Sequence, residues 1–88
     1  MDYKVSIKRK IERDLEKLPR RVQDLFFQLV EDLREKGPVQ PSWPHYGKLS
    51  KNGYHCHLTY RYVACWRYEK QSIILEVYYV GSRESAPY

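Results

Sequence analysis

The stretch "GYHCHL" (53–58) sets His55 and His57 two residues apart, with Cys56 between them. In a strand, successive side chains point to opposite faces. Both histidines therefore share one face, and Cys56 takes the other with Tyr54 and Leu58. At this spacing the two Cβ atoms stand about 7 Å apart, so the imidazoles can address opposite sides of one phosphodiester. A neutral imidazole would take the proton of a ribose 2′-hydroxyl while a protonated one gives its proton to the departing 5′-oxygen. Charge building on the phosphate calls for a guanidinium, which can bind it bidentately. Arg61 opens the next strand-like run and Arg83 follows the last one. Lys48 and Lys51, just before the histidine strand, add positive charge expected at the same end, and His45 is the third histidine of the chain. Tyr88 can stack on a base or hydrogen-bond the reacting group. Nine tyrosines and two tryptophans give the aromatic surface, interleaved with bases, that single-stranded RNA recognition uses.

The same residues admit plainer chemistry. An H-x-H pair with a third histidine supplies enough ligands for an open Zn²⁺ site. Against that reading, no carboxylate is placed to orient the imidazoles, and Cys56 faces away from them. No metal or cofactor is assigned to these residues. Surface histidines without chemistry, and Arg61 or Arg83 held in structural ion pairs, are further alternatives. Cys56 and Cys65 read as small buried apolar side chains.

Positioning these groups requires strands on a supported sheet. "YKVSI" (3–7) alternates as a half-buried strand. Ile11, Leu15 and Leu18 then recur at helical spacing up to Pro19. Val22, Leu25, Phe26, Leu29 and Leu33 continue the stripe to Lys36, where Gly37-Pro38 stops it. A loop with three of the five prolines follows over 37–50. Three strand-like runs come next: 54–60, 61–68 and 72–81, the last two joined by a turn at "YEKQS" (68–72). The order β-α-α-β-β-β predicts an α+β fold: an antiparallel-dominated sheet with a helical hairpin on one face and the first strand free to pair in parallel. The other sheet face is left uncovered by this reading.

Eighty-eight residues suit one domain, 1–88, with a modest core. No apolar run approaches the ~20 residues of a membrane span, and the N-terminal stretch lacks the pattern of a signal peptide. Two cysteines without a secretion signal fit reduced thiols, so a cytoplasmic location is expected. The net charge is +5. Residues 1–40 carry ten basic and eight acidic side chains, whereas residues 41–88 carry six basic and three acidic. The acid-poor second half, which holds all three histidines, points to a polyanionic partner.

"LEKLPRRVQDLFFQLVEDL", "GKL", "YRYV" and "VYYVGSRESAPY" together resemble the RelE/ParE toxin superfamily of bacterial toxin–antitoxin systems, over nearly the whole chain. Within it the chain looks more like the RelE-type mRNA endonucleases than the ParE-type gyrase inhibitors. The resemblance matches Arg61 to the family's strand arginine, Arg83 to the arginine of its "VG-x-R" element and Tyr88 to its C-terminal tyrosine. His55 and His57 stand where the family often has lysines, which leaves the acid and base unassigned. The resemblance implies a metal-independent endoribonuclease that cuts mRNA in the ribosomal A site, leaving a 2′,3′-cyclic phosphate. It also implies a cognate antitoxin as partner, with operator DNA bound by the toxin–antitoxin complex. A gyrase inhibitor of the ParE kind, a zinc-binding module and an inactive toxin kept for antitoxin binding remain as alternatives.

Overall fold

The computed structural model describes residues 2–69 and 71–88. Two helices are built as the apolar spacing predicts. In α1 (Arg9–Glu16) Ile11 and Leu15 are buried. In α2 (Arg20–Lys36) the buried side chains are Val22, Phe26, Leu29, Val30 and Leu33. These steps of three and four residues keep one stripe against the sheet. Pro19 stands immediately before α2, where its missing N–H costs no helical bond and its carbonyl accepts from Gln23 N at 3.0 Å. Gly37 ends α2 at φ 87, its N–H bonded to the Leu33 carbonyl. The Tyr3 ring fills the space beside it, 2.6 Å from where a Cβ would lie. Only glycine meets both the positive φ and that contact.

Five strands form one sheet in the order β1-β5-β4-β3-β2. They are β1 (Lys4–Ile7), β2 (Gly47–Lys48), β3 (Gly53–His57), β4 (Tyr62–Tyr68) and β5 (Ile74–Ser82). β1 pairs with β5 in parallel and every other pairing is antiparallel. β2 lies inside the segment expected to be only a loop. The predicted strand 54–60 ends at His57, because Leu58 and Thr59 both donate to the Tyr62 carbonyl and close a turn over 58–61. The expected turn at 68–72 includes Lys70, which lies outside the described residues.

The core lies between the helices and one sheet face, where Cys56, Ala64, Trp66, Leu75, Val77 and Val80 meet the helical stripes. Tyr46, Tyr54 and Trp66 stack there at centroid distances of 6.1–6.3 Å. Trp66 Nε1 donates to the Pro38 carbonyl at 3.1 Å, Trp43 Nε1 to Asp32 Oδ2 at 2.8 Å, and buried Gln40 to the Asp32 and Gly37 carbonyls. Those bonds pin the proline-rich loop to α2 and β4 and thereby fix where His45 sits. Among the described residues, no helix is long and apolar enough to cross a membrane.

Candidate functional site

The register settles which side chains share the face away from the helices. His55 pairs with Cys65 and His57 with Val63. Directly paired residues point to the same side. Cys56 pairs with Ala64 and falls in the core, so strand alternation does separate it from the histidines. Cys65, by contrast, lies on the histidine side. This face is less open than the sequence implies, because Cys65 and Val63 have no exposure at all. Tyrosines and the chain end roof it. The Tyr88 ring lies 4.9 Å from that of His55, and the Tyr78 side chain lies beside the Cys65 thiol. Burial pushes both thiols up to about 12, so neither cysteine is an ionised nucleophile near neutral pH.

His45 joins the pair from the pinned loop. The Pro44 carbonyl accepts from His57 N at 2.8 Å, carrying the β2–β3 pairing one step past Gly47↔His55. His45 then turns at φ 54, a left-handed conformation that histidine adopts more readily than most residues. Its ring comes to 4.5 Å from that of His57. Gly47 leaves room for the neighbouring imidazole: a Cβ there would meet His55 Nε2 at 3.2 Å. Three histidines and Tyr88 thus occupy one patch. Among the described residues, no group of three His, Cys, Asp or Glu side chains is gathered to hold a metal ion.

The electrostatics of the patch favour uncharged imidazoles. Burial lowers the pKa of His55 from its ordinary 6.5, and His57 and His45 lower it further. Burial also lowers that of His57, helped by His45 and Arg83 and opposed by the backbone of Thr59 and Tyr60. Nδ1 of both rings is buried without a hydrogen-bond partner. Imidazolium needs an acceptor for each N–H, so at His55 this geometry also disfavours the charged form, whereas at His57 the nearby Thr59 and Tyr60 backbone works against that effect. The Tyr88 phenol is pushed up, chiefly by burial, and remains a hydrogen-bond donor.

Arg61 and Arg83 come together at the His57 end of the sheet. Arg83 N donates to the Arg61 carbonyl at 2.8 Å, extending the β4–β5 ladder by one rung. A one-turn 3-10 helix (Arg83–Ser85) then starts, capped by Ser82 Oγ accepting from Ser85 N. Both arginines are exposed and line a shallow cleft of about 460 Å³ with Tyr60, Tyr62, Ser82 and Glu84. The Arg83 guanidinium lies 4.5 Å from the Tyr60 ring centroid.

The lysines are placed elsewhere. Lys48 pairs with Tyr54 and sets its ammonium 5.4 Å from that ring, which belongs to the helix-side aromatic stack. Lys51 lies in the β2–β3 turn beside Asn52, whose carbonyl accepts from Tyr68 N. That is the Gly53 end of β3, whereas Arg61 and Arg83 stand at the His57 end, four residues or roughly 13 Å along the strand. The expectation that these lysines reinforce the arginines at one end is therefore corrected. β2 runs antiparallel to β3, which carries its residues away from the arginines. Sequence reasoning also missed Tyr60. Its signal was a large aromatic inside a tight turn, where small polar residues are the rule.

No family model matches the chain, and no curated protein does. Solved structures do. The archaeal RelE–RelB complex of Pyrococcus horikoshii matches at 16% identity and a TM-score of 0.77, over 98% of this chain and 100% of that one. The free E. coli toxin RelE, as a mutant with two arginines replaced by alanine, matches at 15% identity and a TM-score of 0.75, over 98% and 88%. The RelBE2 toxin–antitoxin complex of Mycobacterium tuberculosis matches at 20% identity and a TM-score of 0.71, over 94% and 100%. At these identities the comparison establishes a RelE-like fold, in agreement with the α+β order read from the sequence.

Proposed function

We propose that this chain is the toxin of a toxin–antitoxin system and cuts mRNA on the ribosome by attack of a 2′-hydroxyl on the adjacent phosphate. The observation that carries the reading is the meeting of the histidine patch with the paired arginines at one end of a RelE-like sheet. A phosphate bound by Arg83 and Arg61 would stand beside His57, whose pKa is depressed by burial first and then by His45 and Arg83. The negative charge of the phosphate would offset that depression. A neutral imidazole then serves as base for the 2′-hydroxyl, and substrate binding itself raises the proton affinity of the group that must act as acid. The 2′-oxygen bonds to phosphorus as the 5′-oxygen leaves, and the guanidinium N–H groups hold the added charge on the phosphoryl oxygens. His55 is steadied by Tyr88, which can donate to the same phosphate. Attack from within the substrate makes the products a 2′,3′-cyclic phosphate and a free 5′-hydroxyl. The residues named here perform each proton transfer without a metal ion.

The exposed arginine cleft suits a substrate positioned mainly by the ribosome. A cognate antitoxin is the expected protein partner, as in the RelE–RelB and RelBE2 complexes, with acidic and apolar residues to cover this basic face. The complex, rather than the toxin alone, would bind operator DNA, and the site of action is the cytoplasm. Lys51 and His45 would contact RNA beyond the scissile phosphate, whereas Lys48 is left to its packing on Tyr54. The test is expression in a bacterial host with sequencing of mRNA 5′ ends. Cleavage inside reading frames supports the proposal. Gyrase-linked DNA breaks with intact mRNA would replace it with a ParE-type mechanism.

A further inference from the structure

Tyr60 is 72% exposed, the highest of the large apolar side chains in the described residues that face solvent. It contributes little to the core, and its turn is closed by the backbone bonds of Leu58 and Thr59 to Tyr62 and by Arg61 N donating to Thr59 Oγ1 at 3.3 Å. The fold therefore gives no reason for an aromatic ring at this position. Its surroundings do. Arg83 covers one side of the ring at 4.5 Å, and the ring borders the cleft that both arginines line. The backbone of Tyr60 also lies close enough to His57 to affect its proton affinity.

We infer that Tyr60 is a base-stacking residue: a nucleobase next to the scissile phosphate lies on the ring side opposite Arg83, making a guanidinium–tyrosine–base stack. The inference rests on the RNA-cleaving reading above and adds a subsite to it. Every base has a π-face, so such a platform accepts RNA of varied sequence while fixing which phosphate lies beside Arg83 and His57. The guanidinium, set over the tyrosine face, keeps N–H groups available for phosphate oxygens. Tyr60 acts by positioning and takes no part in proton transfer.

The test compares purified wild type, Tyr60→Phe and Tyr60→Leu on a defined reporter mRNA translated in a cell extract. The mRNA is made in three forms: complete, or with one abasic nucleotide immediately 5′ or 3′ of the mapped cut. For wild type, one of the two abasic positions should slow cleavage at limiting toxin by between about fivefold and a hundredfold, the range typical of base–aromatic stacking. Tyr60→Phe should behave as wild type. Tyr60→Leu should cut the complete mRNA as slowly as wild type cuts the sensitive abasic form, with no further loss on that form. The inference is overturned if Tyr60→Leu matches wild type. It is equally overturned if Tyr60→Leu slows complete and abasic mRNA by the same factor, since the ring would then only prop Arg83. Intact mRNA with the wild-type protein would overturn the cleavage reading itself, and the inference with it.

Discussion

At the scale of single residues, the central fact is that His55 and His57 are held neutral. Both pKa values lie below the ordinary 6.5, with burial as the first cause. The reaction needs one imidazole unprotonated as base and the other protonated as acid, so cleavage at limiting substrate should be bell-shaped in pH, with the midpoints of both limbs below that value. A pH–rate profile measured with a fixed mRNA and ribosome concentration checks this. A midpoint above 6.5 would mean that the histidines are not the groups titrating. His57→Gln should slow cleavage by about 10²- to 10⁴-fold, the usual worth of a positioned general base, without lowering the thermal midpoint by more than a few degrees. Arg83→Lys keeps the charge but loses the planar guanidinium that sits over the Tyr60 ring and can bind phosphate bidentately, so it should recover only part of what Arg83→Ala loses.

At the scale of elements, the site depends on a loop whose order comes from the core. Trp66 is fully buried and its Nε1 bonds the Pro38 carbonyl, while Trp43 and Gln40 tie the next residues to α2. Trp66→Phe would leave that carbonyl buried without its donor and a gap beside it. It should cost about 2–4 kcal/mol in denaturant unfolding. Gly37→Ala introduces a Cβ into the Tyr3 ring at φ 87 and should destabilise by about 1–3 kcal/mol, with no direct effect on the arginines.

The helices and long strands were legible in the sequence because period and breakers agree over many residues: the stripe from Val22 to Leu33, Pro19 before it, Gly37 after it. β2 was not, since two residues, Gly47 and Lys48, carry no period. That omission had a consequence, for only the β2–β3 register reveals that Lys48 belongs to the helix side. The face of His55 and His57 followed from alternation alone, whereas their contact with His45 depended on a backbone bond between Pro44 and His57. Cys65 was correctly read as buried, but its place beneath the histidine side required the pairing His55↔Cys65. Short-range pattern finds elements. Contacts across a proline-rich loop need tertiary geometry.

At the scale of the whole molecule, +5 of net charge and an acid-poor second half should make association with ribosomes or RNA salt-dependent. Raising salt from 50 to 200 mM should weaken it by at least about tenfold, whereas Arg61→Ala should flatten that slope. The same histidines couple stability to pH. Their folded pKa values lie below the unfolded value, so the unfolded chain takes up protons first on acidification. Stability is therefore full above about pH 6.5 and declines as pH falls through the lower folded values. Replacing both histidines by glutamine should flatten that decline in thermal unfolding measured between pH 7 and pH 5.

The most direct test of the account is mRNA 5′-end sequencing after induction of the natural sequence beside Arg83→Ala. The account predicts new 5′-hydroxyl ends inside translated reading frames with the natural chain, and their loss with the variant while the protein stays folded. Equal cleavage by both, or growth arrest with intact mRNA, would contradict it.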